Sequence, residues 1–422
     1  MAALTTTDYD AVFHEFWLPL FEVQFNEQSV LMDEVIMSRD TKSVVNLQAH
    51  IAMEVESWAG FASAAEGANL VDPNPGQYFE AIVPVRFHYM AFDLTGQAID
   101  STSADAAAAA PAFNREMTSK INVFHRQTNR MMHADGSGVL CQVDGVPSGV
   151  TITCDNAYGI GDDINGHLFL SKGVNIEIWS AKTGGSLRGT ATINAVTPGS
   201  GASTSATFTV DAVPAGTADN DFIFLKGARG IEMMGCLGGI DTTTYVSNLQ
   251  SINASTAGNE WWRAQMRDMG DAGGTSGTVG PLTRNRINRV LEDTVFIGGS
   301  DIRFILSNPA CQRTYGDMAA RDRIVVNEVE LDNGWRGLSY NGIPWIADFY
   351  AIKQQAMFID PSTIEVHELA RPQWMDRGDG ILKQVSDSGG DLDVWRARYY
   401  WYSELGFTKR MANGVLRDIQ EI

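Results

Sequence analysis

The amino-acid sequence predicts an α+β protein built from several structural units. Three observations carry this prediction: a helical apolar stripe between about 103 and 133, a block of short alternating strands after it, and an aromatic strand near the end. At 422 residues the chain is long enough for a large core and more than one unit. Its 44% hydrophobic and 9% aromatic content is that of a globular protein.

Residues 1–51 read as an N-terminal arm, apolar but interrupted by Pro19, with "SVVNLQAHI" as a first strand. Residues 52–97 read as an extended hairpin. Gly67, Pro73, Pro75 and Gly76 mark its loop, and Val83, Val85, Phe87 and Tyr89 alternate with Pro84, Arg86 and His88 on the return. A long hairpin cannot bury both of its faces by itself, so it needs a neighbour. Residues 98–138 hold one long helix. Phe113, Met117, Ile121, Phe124 and Met131 share a stripe at period 3.6, Arg115, Lys120, Arg126 and Arg130 fall largely away from it, and "HADGSG" ends it.

Residues 139–231 are rich in Gly, Thr, Ser and Val, with runs such as "GVTITCD" and "SATFTVDAV" between turn clusters, and read as an inserted all-β module. Mixed character returns over 232–350 and 351–422. "WWRAQMRDM" and "TRNRINRVLEDTVFIG" read as helices, and "SDIRFILSN", "GIPWIADF" and "AMFIDPSTIEVHEL" as strands. In "WRARYYWYSELGF", Trp395, Ala397, Tyr399 and Trp401 form a core-facing row, while Arg396, Arg398, Tyr400 and Tyr402 face something else.

Composition and motifs exclude several function classes. The 51 acidic against 31 basic side chains, a net charge of −20, argue against general affinity for phosphate backbones. The N-terminal residues lack the pattern of a signal peptide and no run is long enough to span a bilayer, so a cytoplasm-like compartment and no membrane partner are expected. Cys141, Cys154, Cys236 and Cys311 lack metal-site spacing and read as buried free thiols. Phosphate loop, nucleophile elbow and H-E-x-x-H are absent, and no catalytic residue, cofactor or metal is expected. "YGIGDDINGH" reads as a β-turn, "DSGGDLD" as a hairpin loop, and His367 as a surface or edge residue. The tryptophans and arginines around Trp261, Trp262 and Trp374 admit either core packing with snorkelling arginines or a protein interface. Nucleic-acid stacking ranks third, because the surroundings are acidic and no RNP pattern is present.

The order of these parts resembles the major capsid proteins of tailed bacteriophages, with the Hong Kong-ninety-seven-type fold. "ADGSGVL" after the helix is similar to the family's glycine-rich exit, and "RFILSNPACQRT" to its strand, Asn-Pro and helix. "GLSYNGIPWIADFYA" places Gly342 and Pro344 where the following strand has them, and "WRARYYWYSELGFTKRMANGVLRDI" resembles the closing strand pair.

The resemblance implies an N-arm, an extended loop, a spine helix in a peripheral domain, an axial domain over 232–350, and a return to the peripheral domain over 351–422. It further implies a virion structural protein, assembled in the host cytoplasm as pentamers and hexamers of an icosahedral head around double-stranded DNA. A separate scaffolding protein, a portal and a decoration protein are the implied partners. A cellular encapsulin-like cargo shell, a tail or fibre protein, and a hydrolase using paired aspartates are the alternatives. Intersubunit contacts are expected at Trp58, Phe61, Tyr78 and Phe79 on the hairpin, at Arg371, Trp374 and Arg377, and at Arg396, Arg398 and Tyr402. Some members join a loop lysine to a neighbour's asparagine, but no lysine lies between Lys42 and Lys120. Denaturing gels of mature particles should therefore show single chains; a covalent ladder through this loop would contradict that expectation.

Overall fold

The computed structural model describes residues 31, 42–44, 47–56, 61, 63–67, 76–97, 106–160, 166–199, 205–270, 279–321, 328–330, 336–378, 380–387 and 390–421. All but Leu31 of the expected arm before Lys42 lies outside this set. One strand of 18 residues, Gly390–Phe407, organises the first sheet. It pairs antiparallel with Arg86–Thr95 on one edge and with Ile364–Trp374 and Lys383–Asp387 on the other, and Lys42–Ser43 adds in parallel to Ile364–Trp374.

The helix Ala106–His133 packs on this sheet through Met117, Ile121 and Phe124, which are buried as the apolar period requires. Phe124 meets Tyr399 edge to face at 5.1 Å, and Ala397, Tyr399 and Trp401 are buried as the core-facing row. Arg130 departs from its expected place on the polar side. It is buried and bonds Glu232 at 2.5 Å, so a charge partner draws it into the core.

The hairpin is a separate two-stranded sheet, Gln48–Glu56 with Gln77–Pro84. It ends at Pro84 and not at 97, because Arg86–Thr95 belongs to the first sheet. The chain breaks strand at Val85, whose amide bonds the carbonyl of Leu47 at 3.0 Å, and the alternation changes phase there. Ala81, Val83 and Val85 are buried before the break, and His88 and Phe92 after it, which leaves Phe87 and Tyr89 exposed.

Six strands between Val139 and Leu225 close into a barrel, with Phe222–Leu225 pairing both Val139–Val143 and Asn175–Trp179. Closure leaves no free edge. The barrel interior holds Cys141, Ile152, Cys154, Ile176, Ile178, Ile193, Phe208 and Ile223, and all four cysteines of the chain are buried free thiols. Entry into the barrel needs the glycines of "DGSG": Gly138 has φ 82°, and a Cβ there would lie 2.7 Å from the Ala228 carbonyl oxygen. The "YGIGDDINGH" stretch forms short 3₁₀ turns at Ala157–Gly159 and Gly166–Phe169, with 161–165 outside the described residues. "DSGGDLD" is a hairpin connection, with Asp387 opposite Gly390.

A seven-stranded sheet carries the helices Arg284–Phe296 and Pro309–Arg321. It also takes Ala356–Ile359 and Gly414–Arg417, so the chain after 351 divides between both large sheets instead of returning to the first alone. "WWRAQMRDM" is not a helix: a 3₁₀ turn at Glu260–Trp262 leads into the strand Gln265–Asp268, which Gly414–Arg417 captures in parallel register.

Arg410 ties these parts together. Its side chain is 0% exposed and donates to the carbonyls of Gly239 (2.8 Å), Trp262 (3.0 Å), Gly238 (3.0 Å) and Asp241 (2.9 Å). Burial draws its pKa down to about 10. Arg410→Met should strand several buried acceptors and destabilise the fold by at least about 3 kcal/mol. A urea denaturation series reads this as a large fall in midpoint.

Candidate assembly surfaces

The first sheet presents its helix-distal face from residue 396 to 402 without cover from another described element. Cross-strand register sets Arg396 opposite Asp93, Arg398 opposite Ala91, Tyr400 opposite Tyr89 and Tyr402 opposite Phe87. Four rings therefore cluster. Tyr402 lies 4.9 Å from Phe87, 5.6 Å from Tyr89 and 4.7 Å from Tyr400 between ring centroids. The Tyr89 and Tyr402 hydroxyls are hydrogen-bonded at 2.9 Å, and Gln373 Nε2 donates to Tyr400 at 2.5 Å. Desolvation and the Tyr89 hydroxyl push the Tyr402 phenol up to about 12.

Arg396 and Arg398 share the strand row of these rings, and Arg377 acts on the Tyr402 hydroxyl. Arg396 grips Asp93 with two bonds of 2.6 and 2.7 Å, which hold that carboxyl below its usual range. Arg371 and Arg377 are exposed and Arg398 is half-buried. Trp374 does not join this surface: it is half-buried, edge to face with Phe92 at 5.7 Å and Tyr399 at 5.1 Å.

The hairpin supplies a second surface of opposite character. Phe61 is 84% and Tyr78 71% exposed, whereas Phe79 turns inward to Trp261 at 5.1 Å, and Trp58 lies outside the described residues. From 48 to 84 the sequence contains Glu54, Glu56, Glu66, Asp72 and Glu80 but no lysine or arginine. The structure thus groups Arg371, Arg377, Arg396, Arg398 and Tyr402 at one sheet, and Phe61 and Tyr78 on the hairpin.

Two exposed apolar sites lack any counterpart in the sequence reading. Phe296 is 90% exposed between exposed Val295 and Ile297, and Phe349 is also exposed. The signal for the first was the helical period itself, since Ile287, Val290 and Thr294 fill the buried stripe and leave 295–297 off it. His367 moves the other way, from expected surface to core. It is buried because Gly406, directly beside its ring, has no side chain to exclude it.

Among the described residues no group of three His, Cys, Asp or Glu side chains is arranged to hold a metal ion, and no helix is long and apolar enough to cross a membrane.

No family model matches the sequence, and no curated protein matches it. Solved structures do match. One is the cyanophage A-1(L) capsid asymmetric unit, at TM-score 0.51 and 12% identity over 93% of each chain. Others are the holo-SrpI encapsulin complex from Synechococcus elongatus PCC 7942 (TM-score 0.44, 8% identity, 91% of this chain and 87% of that one) and the capsid of a native GTA particle (0.43, 10%, 91% and 89%). The cyanophage likeness spans nearly all of both chains and shows that this chain has the fold of a phage capsid protein, as the sequence resemblance implies.

Because the Arg396–Asp93 pair is partly exposed, Arg396→Ala should change folding stability by no more than about 1 kcal/mol. Equilibrium unfolding of the unassembled chain measures this.

Proposed function

We propose that this chain is a major capsid protein whose copies form the pentamers and hexamers of an icosahedral phage head around double-stranded DNA. The role is structural and not catalytic. One observation carries the reading beyond fold: the chain leaves two surfaces unfilled that complement each other. The hairpin is acidic, lacks lysine and arginine, and ends in exposed Phe61 and Tyr78. The open sheet face is a tyrosine cluster flanked by Arg398 and Arg377, with the exposed Arg371 on the neighbouring strand. Tyrosine and arginine are the residue types that concentrate binding energy at protein interfaces. Phe61 and Tyr78 are left exposed by their own chain, so a neighbour's face is the natural acceptor. Head-to-tail contacts of this kind close into rings.

The net charge of −20 suits a container for DNA better than a DNA binder, because a wall that bound phosphates would oppose packing. In this reading the seven-stranded sheet is the axial part, the first sheet and long helix the peripheral part, and the barrel an insertion at the shell surface or between capsomers. A separate scaffolding protein, a portal and a decoration protein complete the set of partners.

Negative-stain microscopy with light scattering on the expressed chain tests the proposal. Closed shells or rings of five and six are expected; a monomer or trimer under every condition, including with the neighbouring genes, would overturn it. Nucleic acid inside particles from infected cells is the expected content, and a protein cargo instead would make the chain a cellular shell. Arg396→Ala with Arg398→Ala should lower shell yield at least several-fold while leaving circular dichroism unchanged. Arg371→Glu with Arg377→Glu should abolish shells, and Glu54→Lys with Glu66→Lys in the same chain should restore part of the yield.

A further inference from the structure

A turn with an unfavourable backbone lies against the hairpin. Asn248–Leu249 and Ile252–Asn253 pair antiparallel, and Gln250 and Ser251 between them take φ 53° and 68°. Two-residue turns of this hand favour glycine, and neither position has one. The Gln250 side chain accounts for the choice. Gln250 is buried, and its amide, oriented so that both of its groups are satisfied, donates to the Phe407 carbonyl at 2.9 Å and accepts from the Phe407 amide at 2.7 Å. Its own carbonyl accepts from the Ile82 amide of the hairpin at 3.0 Å. One residue thus bonds both the end of the long strand and the hairpin.

A second contact lies farther along the hairpin. The Phe79 ring meets Trp261 at 5.1 Å, and Trp261 meets Trp262 at 5.4 Å. Trp262 is itself fixed: its carbonyl accepts from Arg410 at 3.0 Å, and its indole Nε1 donates to the Leu249 carbonyl at 3.2 Å, which joins it to the turn. Residues 248–262 therefore form one platform. The hairpin's register sets Ile51 beside Ala81 and Met53 beside Phe79, so one row packs inward, with Ala81 and Val83 fully buried. His50, Ala52, Glu54, Tyr78 and Glu80 form the exposed row.

We propose that Gln250 and Trp261 are positioning residues: they fix the direction of the hairpin relative to the body and, on the capsid reading that this step rests on, the place where Phe61 and Tyr78 meet a neighbouring copy. A strand pair held at one point can turn about it. Ile82 and Phe79 are three residues apart, roughly 10 Å along an extended strand, so the two contacts together remove that freedom. The bond from Val85 to Leu47 sets where the hairpin begins, and the platform sets where it points. The strain kept in the turn fits this role, because a glycine at 250 would ease the backbone but lose the amide that grips Phe407.

Distances from pulsed electron spin resonance on the unassembled full chain test the platform independently of shell formation. The four native cysteines are buried, so nitroxides attach at Ala52→Cys on the hairpin and Glu292→Cys on the helix Arg284–Phe296, both exposed positions. The labelled parent should give one narrow distance distribution, and Gln250→Gly with Trp261→Ala a broad one. Hydrogen exchange in 48–56 and 77–84 should then rise at least about tenfold, while the strand Ile364–Trp374 should not change. Trp261→Phe, which keeps a ring against Phe79, and Ser251→Gly, which eases the turn but keeps the Gln250 amide, should both stay narrow. A narrow distribution in the double variant, or equal broadening in Ser251→Gly, would overturn the proposal. If Trp261→Ala does not fold, Gln250→Gly alone should broaden the distribution partway, and an unchanged one would count against the platform. In assembly, the double variant should lose shells of uniform diameter; uniform shells from it would sink the link to the neighbour contact. No shells from the parent would instead defeat the capsid reading, while the distances still judge the platform.

Discussion

The strand Gly390–Phe407 imposes the constraint from which the other parts take their positions. Its backbone must be paired along 18 residues, and three different strands are needed to do it. Its faces are treated unequally along its length. From Ala397 to Trp401 the buried row lies beneath the long helix, while the opposite row stays open. From Ser403 to Phe407 every residue is buried, because the hairpin root and the connection leaving the barrel converge there. The place where the hairpin leaves the sheet and the place where the aromatic face begins are thus fixed by one strand.

Where distant segments meet, the chain uses buried polar ties in addition to apolar packing. Arg410 gathers four carbonyls, Arg417 bonds Asp241 at 2.7 Å, Arg130 bonds Glu232, and His133 contacts Asp348 at 3.1 Å. Such groups contribute little net stability compared with well-packed apolar side chains, but removing one partner leaves the other buried and unsatisfied. They restrict which arrangement of the barrel, sheets and connections satisfies every group. Glu404 is another such tie, accepting from the amides of Met234 and Leu405 and facing Arg86 at 3.4 Å.

Local periodicity made much of this legible in the sequence. The alternation in 395–402, the stripe Met117, Ile121 and Phe124, and the short strands of the barrel all follow from one buried face per element. Failures occurred where a distant partner decides. "WWRAQMRDM" has apolar residues at helix-compatible spacing, yet Trp262 is held by Arg410 and the next residues by a strand about 150 positions later. Arg130 reads as a charge off the apolar stripe because its partner, Glu232, is far away in sequence. His367 needed knowledge that Gly406 lies beside it. Of the candidate contact residues, the aromatic and arginine enrichment pointed to the open face, but Trp374 sits on its inner side, directly opposite the buried Tyr399.

The charge balance links folding to assembly. An acidic chain resists association with its own copies unless opposite charges are segregated into matching patches. Here the hairpin carries acids alone, and arginines collect at the open end of the sheet from which that hairpin departs. Arg396 is already paired with Asp93 within the chain, whereas Arg371 and Arg377 are exposed. The tyrosines between them supply area without charge, since the hydroxyls of Tyr89 and Tyr402 satisfy each other. Under the proposed function, contact between like-charged subunits would be favourable in one docking geometry and unfavourable in most others, which is the selectivity that a closed shell of identical chains requires.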